Sequence, residues 1–555
     1  MHKQSGPKRV VILGGGFAGV YTARQLLKKA RPGEITVDLV SMDNFMAFQP
    51  LLPEVISGSV GIADTATPIR QILPGATIHL REVESVDVEN RRVICSAGFQ
   101  PHLLELNYDH LVIALGNVCN FQGMTGLAEH AMPFKNLADA ITLRNHIIRI
   151  MEEEDCEKSE AFRRELLTFV VGGGGFSGVE VIAQIHGLIW RARRNYPNIN
   201  MDECRFVLVH SQDRILPEVA AKLGHYAEKQ LRKRNIEILL GCRLRSATPR
   251  SAILADGREI RTRTLVSTVP SQPHPVVEAL IRQQGWQQST PDGRRRPMVR
   301  LPDTSMLQME GFSDVWAVGD CAQVPLPIKS GEPQAYAPPT AQHASREAVT
   351  CARNILADIR GEKGKAFNFF GIGALASLGR RRGVAQILGV CISGFPAWVL
   401  WRLVHLGKLP GVYRKFRVGL SWLFDFIFPS DIIQLSLKQS GGIRQEHYET
   451  GETVFEQGDV GDRVYVLIKG EVEVMRHEND QVCRLAQLHS GDIFGEMAVL
   501  HCAPRNATIR CSEPSEVLSI ERHQFDTLIH CLNDLGSSVR ATAESRSNCN
   551  DKTDV

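Results

Sequence analysis

The sequence lacks the cysteine spacings, the charge imbalance and the long apolar runs that mark several protein classes. Its 13 cysteines form no C-x-x-C or C-x₄-C pair, so we expect neither a metal centre nor a disulfide framework, and a reducing compartment. A net charge of +3 on 555 residues is too small to favour a nucleic-acid partner. The uncharged run 384–401 barely reaches spanning length and is interrupted by two glycines and a proline. The first strand-like run is reached by Val10, too early for a signal or transit peptide.

One glycine signature, in contrast, is present twice. Each copy follows an apolar, β-branched run and opens a helical pattern, which is the strand–turn–helix context of dinucleotide-binding domains. In such a turn the first glycine bends the chain, the second lets a pyrophosphate approach, and the third lets the helix pack on the strand. The glycines are Gly14, Gly16 and Gly19 in the first copy and Gly173, Gly175 and Gly178 in the second. Two copies predict an α/β fold with two Rossmann-like domains, whose two nucleotides exchange something.

The second strand of the first unit indicates where an acid would bind ribose hydroxyls. It runs ITVDLVSMDNF, with Asp38 inside the strand, Ser41 at its end and Asp43 just beyond. We take Asp43 as the candidate ribose ligand. A solvated loop carboxylate is the alternative interpretation of that residue.

Four motifs together resemble the type II NADH:quinone oxidoreductases. They are NFMAFQPLLPEVISG (44–58), LVIALGN (111–117), VWAVGDCAQVP (315–325) and YAPPTAQHA (336–344). The resemblance covers roughly residues 8–435 and implies a flavoenzyme that passes electrons from NADH through FAD to membrane quinone. It also implies that the Gly14 turn holds FAD and that Gly319 and Asp320 close that site. An apolar strand ending in Gly-Asp can deliver a carboxylate to a ligand at the carboxyl edge of a sheet.

The same resemblance assigns the Gly173 turn to NADH and places Glu180 near the nicotinamide. The alternative for Glu180 is a first-turn carboxylate stabilised by the helix dipole. His210 stands where the family often has a glutamate, which would accept a bond from the ribose 2′-hydroxyl and repel a 2′-phosphate. Because His210, with Arg214 nearby, removes that repulsion, NADH is the expected donor and NADPH stays open.

Ala341 and Gln342 resemble a family pair in which the glutamine lies beside the flavin ring and the quinone channel. The alternative is a glutamine that makes ordinary caps at a helix N-terminus. The family's second glutamine, four residues later, is replaced by Arg346. We expect Glu180 and Gln342 to influence turnover, with no side chain acting as an essential acid.

The segments AWVLWRLVHLGKL and RVGLSWLFDFIFP mix tryptophan, phenylalanine and leucine with basic residues. Wide apolar faces with interfacial tryptophans and basic flanks are typical of helices that lie in a membrane interface. We therefore expect a peripheral, monotopic enzyme on the cytoplasmic face of the inner (plasma) membrane, where its quinone enters from lipid. A buried helix pair or a homodimer interface is the alternative.

Beyond this segment the sequence changes to short alternating strands separated by Gly-Asp turns. Residues 447–529 resemble the cyclic nucleotide-binding domains of cAMP-responsive regulators and kinases. The resemblance implies that Arg505 binds the cyclic phosphate and Glu496 the ribose 2′-hydroxyl, with backbone N–H groups near Gly495 and Ala507 completing the anion site. The choice between cAMP and cGMP stays open.

These patterns predict seven consecutive regions. They are an FAD-binding domain in two parts (1–167 and 276–370), an NAD(P)H-binding domain (168–275), an amphipathic membrane-associated segment (371–435), a linker (436–446), a β-roll cyclic nucleotide-binding domain (447–535) and a disordered tail (536–555). The favoured function is quinone reduction regulated by a cyclic nucleotide.

Two other functions compete with this interpretation. One is a redox and nucleotide sensor with weak turnover. The other is a different flavoenzyme, such as a sulfide:quinone oxidoreductase, which needs reactive cysteines. Cys119, Cys321 and Cys351 are available for that chemistry, but buried structural thiols are the default interpretation.

Overall fold

A computed structural model describes most of the chain. The described residues are 6–98, 102–119, 121, 124–268, 271–286, 298–302, 306–327, 334–428, 432–434, 443–459, 461–478, 481–501, 504–522 and 524–525. Most of the predicted linker (436–442) and all of the predicted tail (536–555) lie outside these residues.

The chain up to residue 119 alternates strands with short helices. The strands are β1 (Lys8–Leu13), β2 (Ile35–Ser41), β3 (Phe45–Ala47), β4 (Ala66–Pro68), β5 (Thr77–Leu80), β6 (Val83–Asp87), β7 (Arg92–Cys95), β8 (Leu104–Asn107), β9 (His110–Ile113) and β10 (Asn117–Cys119). The helices are α1 (Phe17–Lys29), α2 (Leu52–Ile56) and α3 (Ile69–Ile72).

The next stretch repeats the strand–turn–helix pattern. Its helices are α4 (Leu127–His130), α5 (Leu137–Cys156), α6 (Glu160–Leu166), α7 (Phe176–Ala192), α8 (Ala221–Arg232) and α9 (Pro275–Gln283). Its strands are β11 (Met132–Pro133), β12 (Thr168–Gly172), β13 (Arg205–Val209), β14 (Ile236–Leu239), β15 (Leu244–Thr248), β16 (Ser251–Leu254), β17 (Glu259–Arg261), β18 (Thr264–Ser267) and β19 (Ser271–Pro273).

The remaining elements fall on either side of the predicted linker. Before it are strands β20 (Val299–Arg300), β21 (Val315–Ala317), β22 (Ala322–Gln323), β23 (Gly373–Ser377), β24 (Gly383–Ile387) and β25 (Val390–Gly394), and helices α10 (Ala341–Ile359), α11 (Phe395–Lys408) and α12 (Val412–Ile427). After it are β26 (Ile443–Tyr448), β27 (Thr453–Phe455), β28 (Arg463–Lys469), β29 (Glu471–Glu478), β30 (Gln481–His489), β31 (Ile493–Phe494), helix α13 (Glu496–His501), β32 (Thr508–Cys511) and β33 (Ser515–Glu521).

Two parallel sheets carry the two glycine signatures. The first has the strand order β21-β9-β1-β2-β5 and the second the order β11-β18-β12-β13-β14. Their central strands β1 and β12 are apolar and buried, as expected when helices cover both faces of a parallel sheet. The carboxyl ends of these strands lead into the glycine turns, which places each turn at an edge of its sheet.

The two sheets are linked where the chain crosses between them. Strand β10, which leaves the first sheet, pairs antiparallel with β19, which returns from the second. Before β12 begins, β11 already pairs with β18 in the second sheet, and α5 and α7 share one apolar core. Elements on both sides of residue 167 therefore pack on the second sheet. The domain boundary predicted between residues 167 and 168 stays a prediction.

The segment after the second part of the first sheet contains an antiparallel sheet, β23-β24-β25, followed by α11 and α12. The uncharged run 384–401 thus forms strands and the start of a helix. No helix in the described part of the chain is long and apolar enough to span a membrane. Trp401 and Trp422 anchor the two helices in a small core with Phe48 and Leu51.

The elements from β26 onward form a separate β domain of two four-stranded antiparallel sheets. Their orders are β26-β33-β28-β31 and β27-β32-β29-β30. Tyr465 stacks on Phe494 with ring centroids 5.3 Å apart, and Phe455 packs beside both. The predicted change to an all-β domain is confirmed.

Candidate functional site

The first glycine turn is built so that side chains cannot fit at two of its three positions. Gly14 has φ of +112°, and a Cβ there would lie 2.2 Å from the carbonyl oxygen of Ala114. A Cβ on Gly19 would lie 2.0 Å from the Gly14 carbonyl oxygen, so α1 packs on β1 only because this residue is glycine. Gly16 immediately precedes α1, and no described atom lies within 4 Å of where its Cβ would be. The turn therefore exposes a helix N-terminus to an open space, which suits a diphosphate.

A cavity opens in front of this turn. Its lining includes the turn itself, Ser41 and Asp43 after β2, Lys135 and Asn136 before α5, and Gly319, Asp320 and Ala341. Burial raises the pKa of Asp43 above its ordinary value. Asp38 accepts hydrogen bonds from Arg9 and pairs with His79, and it is not among the residues that line the cavity. The predicted residues Asp43, Gly319, Asp320 and Ala341 are thus brought together around one space.

Asp320 lies in a 3₁₀ turn directly after β21. Burial raises its pKa, against the opposing charge of Lys135, whose Nζ is 3.9 Å from the carboxylate. Behind it, the N–H of Gly319 donates to Glu347 Oε2 at 2.7 Å. Burial raises the pKa of Glu347 to about 7. Sequence reasoning missed Glu347, although a carboxylate at helical spacing from Ala344, Ala348 and Cys351 was an available signal.

The second glycine turn repeats these constraints. Gly173 has φ of +113°, and its Cβ would lie 2.4 Å from Thr268 Oγ1. A Cβ on Gly178 would lie 1.7 Å from the Gly173 carbonyl oxygen. Gly175 immediately precedes α7, so this helix also presents its N-terminus at a sheet edge. The turn has the backbone form of the first and offers a second place for a pyrophosphate. It differs in front of the helix, where Glu218 Oε1 lies 3.0 Å from the position of a Gly175 Cβ.

His210 follows β13 beside this turn and is buried. Its Nδ1 accepts the N–H of Gly174 at 3.0 Å, which places the ring proton on Nε2 in the neutral form. Burial lowers the pKa of His210, so the neutral ring is favoured. The side chain beside this turn is thus a neutral imidazole and carries no negative charge.

Glu180 lies on α7 but faces the C-terminal strands. Its Oε1 accepts the N–H of Ser377 at 2.8 Å. Burial, with a smaller contribution from the neighbouring Glu54 carboxyl group, raises the pKa of Glu180 to about 8. Glu180 is therefore protonated near neutral pH, which a dipole-stabilised carboxylate in a solvated first turn would not be.

Gln342 lies at the start of α10, next to the cavity-lining Ala341. Its Nε2 donates to the Gly373 carbonyl at 3.0 Å, and its Oε1 accepts the N–H of Ile372 at 3.2 Å. The amide therefore ties the beginning of β23 to α10. Arg346, one turn along the helix, lies over the ring of Phe369 at 5.1 Å.

A buried network of charges that sequence reasoning did not find holds α11 and α12 to the body. Arg402 lies between the rings of Trp398 and Trp422, 4.1 and 4.7 Å from their centroids, with Nη2 3.6 Å from Glu54. The Trp422 indole N–H donates to Glu54 at 2.5 Å. Arg191 completes the network by pairing with Asp425 on α12 at 3.1 Å.

The outer surface of α11 and α12, by contrast, is apolar. The large exposed side chains are Phe395 and Leu403 on α11, Val412, Tyr413, Phe416, Leu423 and Phe424 on α12, and Phe428 directly after α12. Two of the basic residues that we expected to face lipid also contact the body of the protein, and Arg417 stays 44% exposed while it does so. Arg414 donates to the Ala66 carbonyl at 2.7 Å, and Arg417 pairs with Asp64 at 2.9 Å. The exposed face of the helix pair is thus mainly hydrophobic.

In the β domain, Arg505 and Glu496 are both buried. The Arg505 guanidinium stacks on Phe455 at 4.1 Å and donates to the carbonyls of Gly495 and Arg463 at 2.6 and 2.7 Å. Gly495 has φ of +79°, and a Cβ there would lie 2.7 Å from Arg505 Nη1. Gly495 and Glu496 are consecutive and Glu496 opens α13, so the predicted phosphate and ribose ligands share one site.

Comparison with known proteins agrees with both parts of this architecture. Residues 8–348 match the pyridine nucleotide-disulphide oxidoreductase family, and residues 445–530 match the cyclic nucleotide-binding domain. The chain is 30% identical over 427 residues to a type II NADH:quinone oxidoreductase of Mycobacterium tuberculosis, covering 76% of this chain and 88% of that protein. It is 25% identical over 422 residues to the Staphylococcus aureus type II NADH:quinone oxidoreductase, covering 74% and 98%.

Among solved structures, the chain is similar to NDH2 from Plasmodium falciparum in complex with NADH. The TM-score is 0.68 at 18% identity, over 77% of this chain and 99% of that one. A sulfide:quinone oxidoreductase from Aquifex aeolicus shares the fold with a TM-score of 0.57 at 19% identity. Sequence and fold together show that the chain belongs to the type II NADH:quinone oxidoreductases of the pyridine nucleotide-disulphide oxidoreductase family and carries, in addition, a cyclic nucleotide-binding domain.

Proposed function

We propose that this protein oxidises NADH through bound FAD and passes two electrons to a quinone at a membrane surface. The observation that carries the proposal is the pair of glycine turns, each closed to side chains at its first and third glycine and each at a parallel sheet edge. The first turn opens into a cavity lined by Asp320. Bound FAD supplies the two-electron chemistry between hydride donor and quinone. The protein's own contribution is to bind and orient FAD and NADH and to shield them from solvent.

On the flavin side, the Gly14 turn and the N-terminus of α1 would hold the pyrophosphate. Asp43 would accept a ribose hydroxyl, and Asp320 would contact the ribityl or pyrophosphate region. Ala341, at the start of α10, would give the bound flavin a small side chain in the cavity wall. Glu347 keeps the Gly319–Asp320 turn in place through its bond to the Gly319 N–H.

On the donor side, the Gly173 turn would hold the NADH pyrophosphate. A neutral His210 neither attracts nor repels a 2′-phosphate by charge, so NADPH stays a possible second donor. Glu180 and Gln342 both bond to the backbone of the β23 segment. Their effect on turnover would therefore come through the position of that segment beside the two cofactor sites.

The exposed apolar face of α11 and α12 supports attachment to a membrane surface. Burying such side chains in the interface is favourable by about 1.5–3 kcal/mol each when burial is complete. A quinone dissolved in lipid could then reach the flavin without crossing water. Peripheral location on the cytoplasmic face stays a prediction, and a homodimer formed through the same helices is the alternative that sedimentation would detect.

The buried Arg505 and Glu496 pair supports binding of a cyclic nucleotide by the β domain. The guanidinium can donate N–H groups to a phosphate in a forked geometry beside the Gly495 and Ala507 backbone. We propose cAMP or cGMP as an effector of the enzyme.

The cysteines near the proposed cofactor sites do not support the alternative of a sulfide:quinone oxidoreductase. Cys321 and Cys351 are buried, and burial raises the pKa of Cys321 to about 12 and that of Cys351 well above its ordinary value. Burial also raises the pKa of the half-buried Cys119. Thiolates are the reactive form, so these residues are poor candidates for polysulfide chemistry.

The test is an anaerobic titration of the purified, flavin-containing protein with NADH, followed by reoxidation with a soluble quinone. We expect stoichiometric flavin bleaching and recovery of the oxidised spectrum. A protein without bound FAD, or one whose flavin does not bleach, would overturn the assignment. Bleaching without reoxidation by quinone would favour a redox sensor.

A further inference from the structure

The β domain packs on the chain that joins the two dinucleotide-binding sheets. Strand β26 packs against α4 and β15. The N–H of His447 donates to His130 Nε2 at 2.9 Å, and Ser246 Oγ donates to Glu449 Oε1 at 3.3 Å. Burial lowers the pKa of His130 to about 4, which keeps its ring neutral and able to accept this bond. The two units therefore meet at a specific hydrogen-bonded interface.

A groove beside this interface is lined by residues of both units. Its lining includes Glu456 and Asp459 of the β domain and Arg250, Glu259 and Arg261 of the nicotinamide-binding unit. The carbonyl of Asp459 accepts the Arg505 N–H at 2.8 Å, and the Gly458 N–H donates to the Arg505 carbonyl at 2.9 Å. The backbone of the proposed phosphate ligand is therefore held by a turn that faces the nicotinamide-binding unit.

On the other side of the interface, α4 leads directly to the flavin cavity. The helix ends at His130, and Lys135 and Asn136 line the cavity a few residues later. The start of α4 is fixed, because Gly126 has φ of +72° and a Cβ there would lie 1.9 Å from the Ala247 carbonyl oxygen. A short stretch of chain whose start is fixed thus joins His130 to the lining of the flavin cavity.

The same stretch reaches the nicotinamide site through β11. This strand pairs with β18, which leads to Thr268. The Thr268 hydroxyl donates to the Gly172 carbonyl at 2.9 Å, next to the Gly173 turn. One segment, residues 124–136, thus contacts the β domain, the flavin cavity and the sheet that carries the nicotinamide turn. We call it the hinge segment.

We propose that the hinge segment couples occupancy of the cyclic-nucleotide site to the reduction of the flavin by NADH. The proposal rests on the proposed function and specifies where regulation acts: on the donor half of the reaction, not on quinone reduction or membrane attachment. A ligand shifts an equilibrium only by its differential affinity for two states. The coupling is reciprocal, so NAD⁺ must change the affinity for cAMP by the factor by which cAMP changes the affinity for NAD⁺.

The experiment uses the full flavin-containing chain and has three measurements. Calorimetry gives the Kd of cAMP and of cGMP with and without saturating NAD⁺. Stopped-flow absorbance gives the rate of anaerobic flavin bleaching by NADH with and without each cyclic nucleotide. A second mixing step gives the rate of reoxidation by soluble quinone. We expect a change of about fivefold or more in Kd and in bleaching rate, the lower range of allosteric coupling, and an unchanged reoxidation rate.

Three variants locate the route. His130→Ala removes the acceptor for the His447 N–H, and Ser246→Ala removes the donor to Glu449; we expect either to reduce the coupling while cAMP still binds. His225→Ala, an exposed histidine on α8, is the matched control and should retain full coupling. Using two independent interface variants keeps the test valid if one fails to fold.

The outcomes separate this inference from the proposed function. A protein that neither bleaches with NADH nor binds cAMP or cGMP overturns the proposed function and the inference with it. Bleaching and binding without any effect of one on the other overturns the inference alone. Coupling that is unchanged in both His130→Ala and Ser246→Ala overturns the assigned route, as does an effect confined to quinone reoxidation.

Discussion

At the residue scale, burial determines the charge of the carboxyl groups around the two cofactor sites. Asp43 and Asp320 line an open cavity, whereas Glu180 and Glu347 are enclosed and accept backbone N–H groups. A carboxyl group that loses solvent favours its neutral form. The two glutamates therefore behave as buried hydrogen-bonding groups with a titration close to physiological pH.

The stability of the protein should depend on the pH through Glu180. Its pKa is raised to about 8 in the fold and returns to near 4.5 on unfolding. Between these values the unfolded state binds fewer protons than the folded state, so the free energy of unfolding falls as pH rises from about 4.5 to 8. Glu180→Gln should flatten this dependence, and denaturant unfolding at pH 5, 6, 7 and 8 measures it. Equal slopes for both proteins would contradict the burial of this carboxyl group.

The two glycines of α7 offer a matched pair of substitutions. Gly178→Ala would place a Cβ 1.7 Å from the Gly173 carbonyl, so we expect NADH-dependent bleaching to be lost while FAD stays bound. Gly187→Ala meets only Gln184 Oε1 at 4.0 Å and should stabilise the helix by about 0.5–1 kcal/mol. Bleaching kinetics and flavin content distinguish the two variants. Normal reduction of Gly178→Ala would contradict the assigned turn.

Donor preference should respond to His210. His210→Glu introduces a carboxylate next to the Gly173 turn, where it would repel a 2′-phosphate. We expect the ratio of kcat/KM for NADH over NADPH to rise by about tenfold or more, which corresponds to about 1.4 kcal/mol. Steady-state oxidation of both donors checks this. A ratio that does not change would mean that His210 does not approach the adenosine ribose.

At the element scale, α11 and α12 separate their charges from their apolar face. Arg402 is only 9% exposed and pairs with Glu54 and Asp425, while Phe416 and Phe424 of α12 face outward. Sequence reasoning identified an amphipathic pair but assigned its basic residues to lipid. Arginines hold the helices to the body of the protein, and the hydrophobic side chains are free to contact a membrane interface or a second copy of the chain.

Membrane attachment should therefore depend more on the burial of apolar side chains than on electrostatic attraction to lipid headgroups. The double variant Phe416→Ser, Phe424→Ser should reduce partitioning into anionic liposomes at least tenfold, because two large exposed side chains no longer enter the interface. Leu103→Ser, which changes an exposed residue elsewhere, is the control. Raising the salt from 0.1 to 1 M should have little effect. Salt-sensitive binding, or loss of a dimer instead of liposome affinity, would contradict the prediction.

At the scale of the whole molecule, the sequence predicted what is local and missed what is distant. The glycine turns, the Gly-Asp turn and the Glu496–Arg505 pair depend on neighbours in the chain, and their patterns identified them. Contacts such as Trp422 to Glu54 and His447 to His130 join residues 368 and 317 positions apart. No periodicity or spacing reports such pairs, because they exist only once the domains have packed.

The added domain should bind its nucleotide through a guanidinium fork. Arg505→Lys replaces that fork by a single ammonium, so we expect the affinity for cAMP or cGMP to fall at least tenfold by calorimetry. Arg510→Lys, at an exposed position on β32, is the matched control and should bind normally. Circular dichroism confirms that both variants fold. Unchanged affinity in Arg505→Lys would place the phosphate elsewhere.

The strand β21 has a consequence for how the protein is made. It completes the first sheet by pairing with β9, yet Val315 is synthesised long after its partner Leu111. The entire second sheet, whose strands lie between residues 132 and 267, leaves the ribosome in the meantime. Until β21 arrives, β9 is an unpaired apolar edge, which is a known aggregation hazard. Flavin incorporation thus belongs to a late stage of biosynthesis, after the nicotinamide-binding unit has had time to fold.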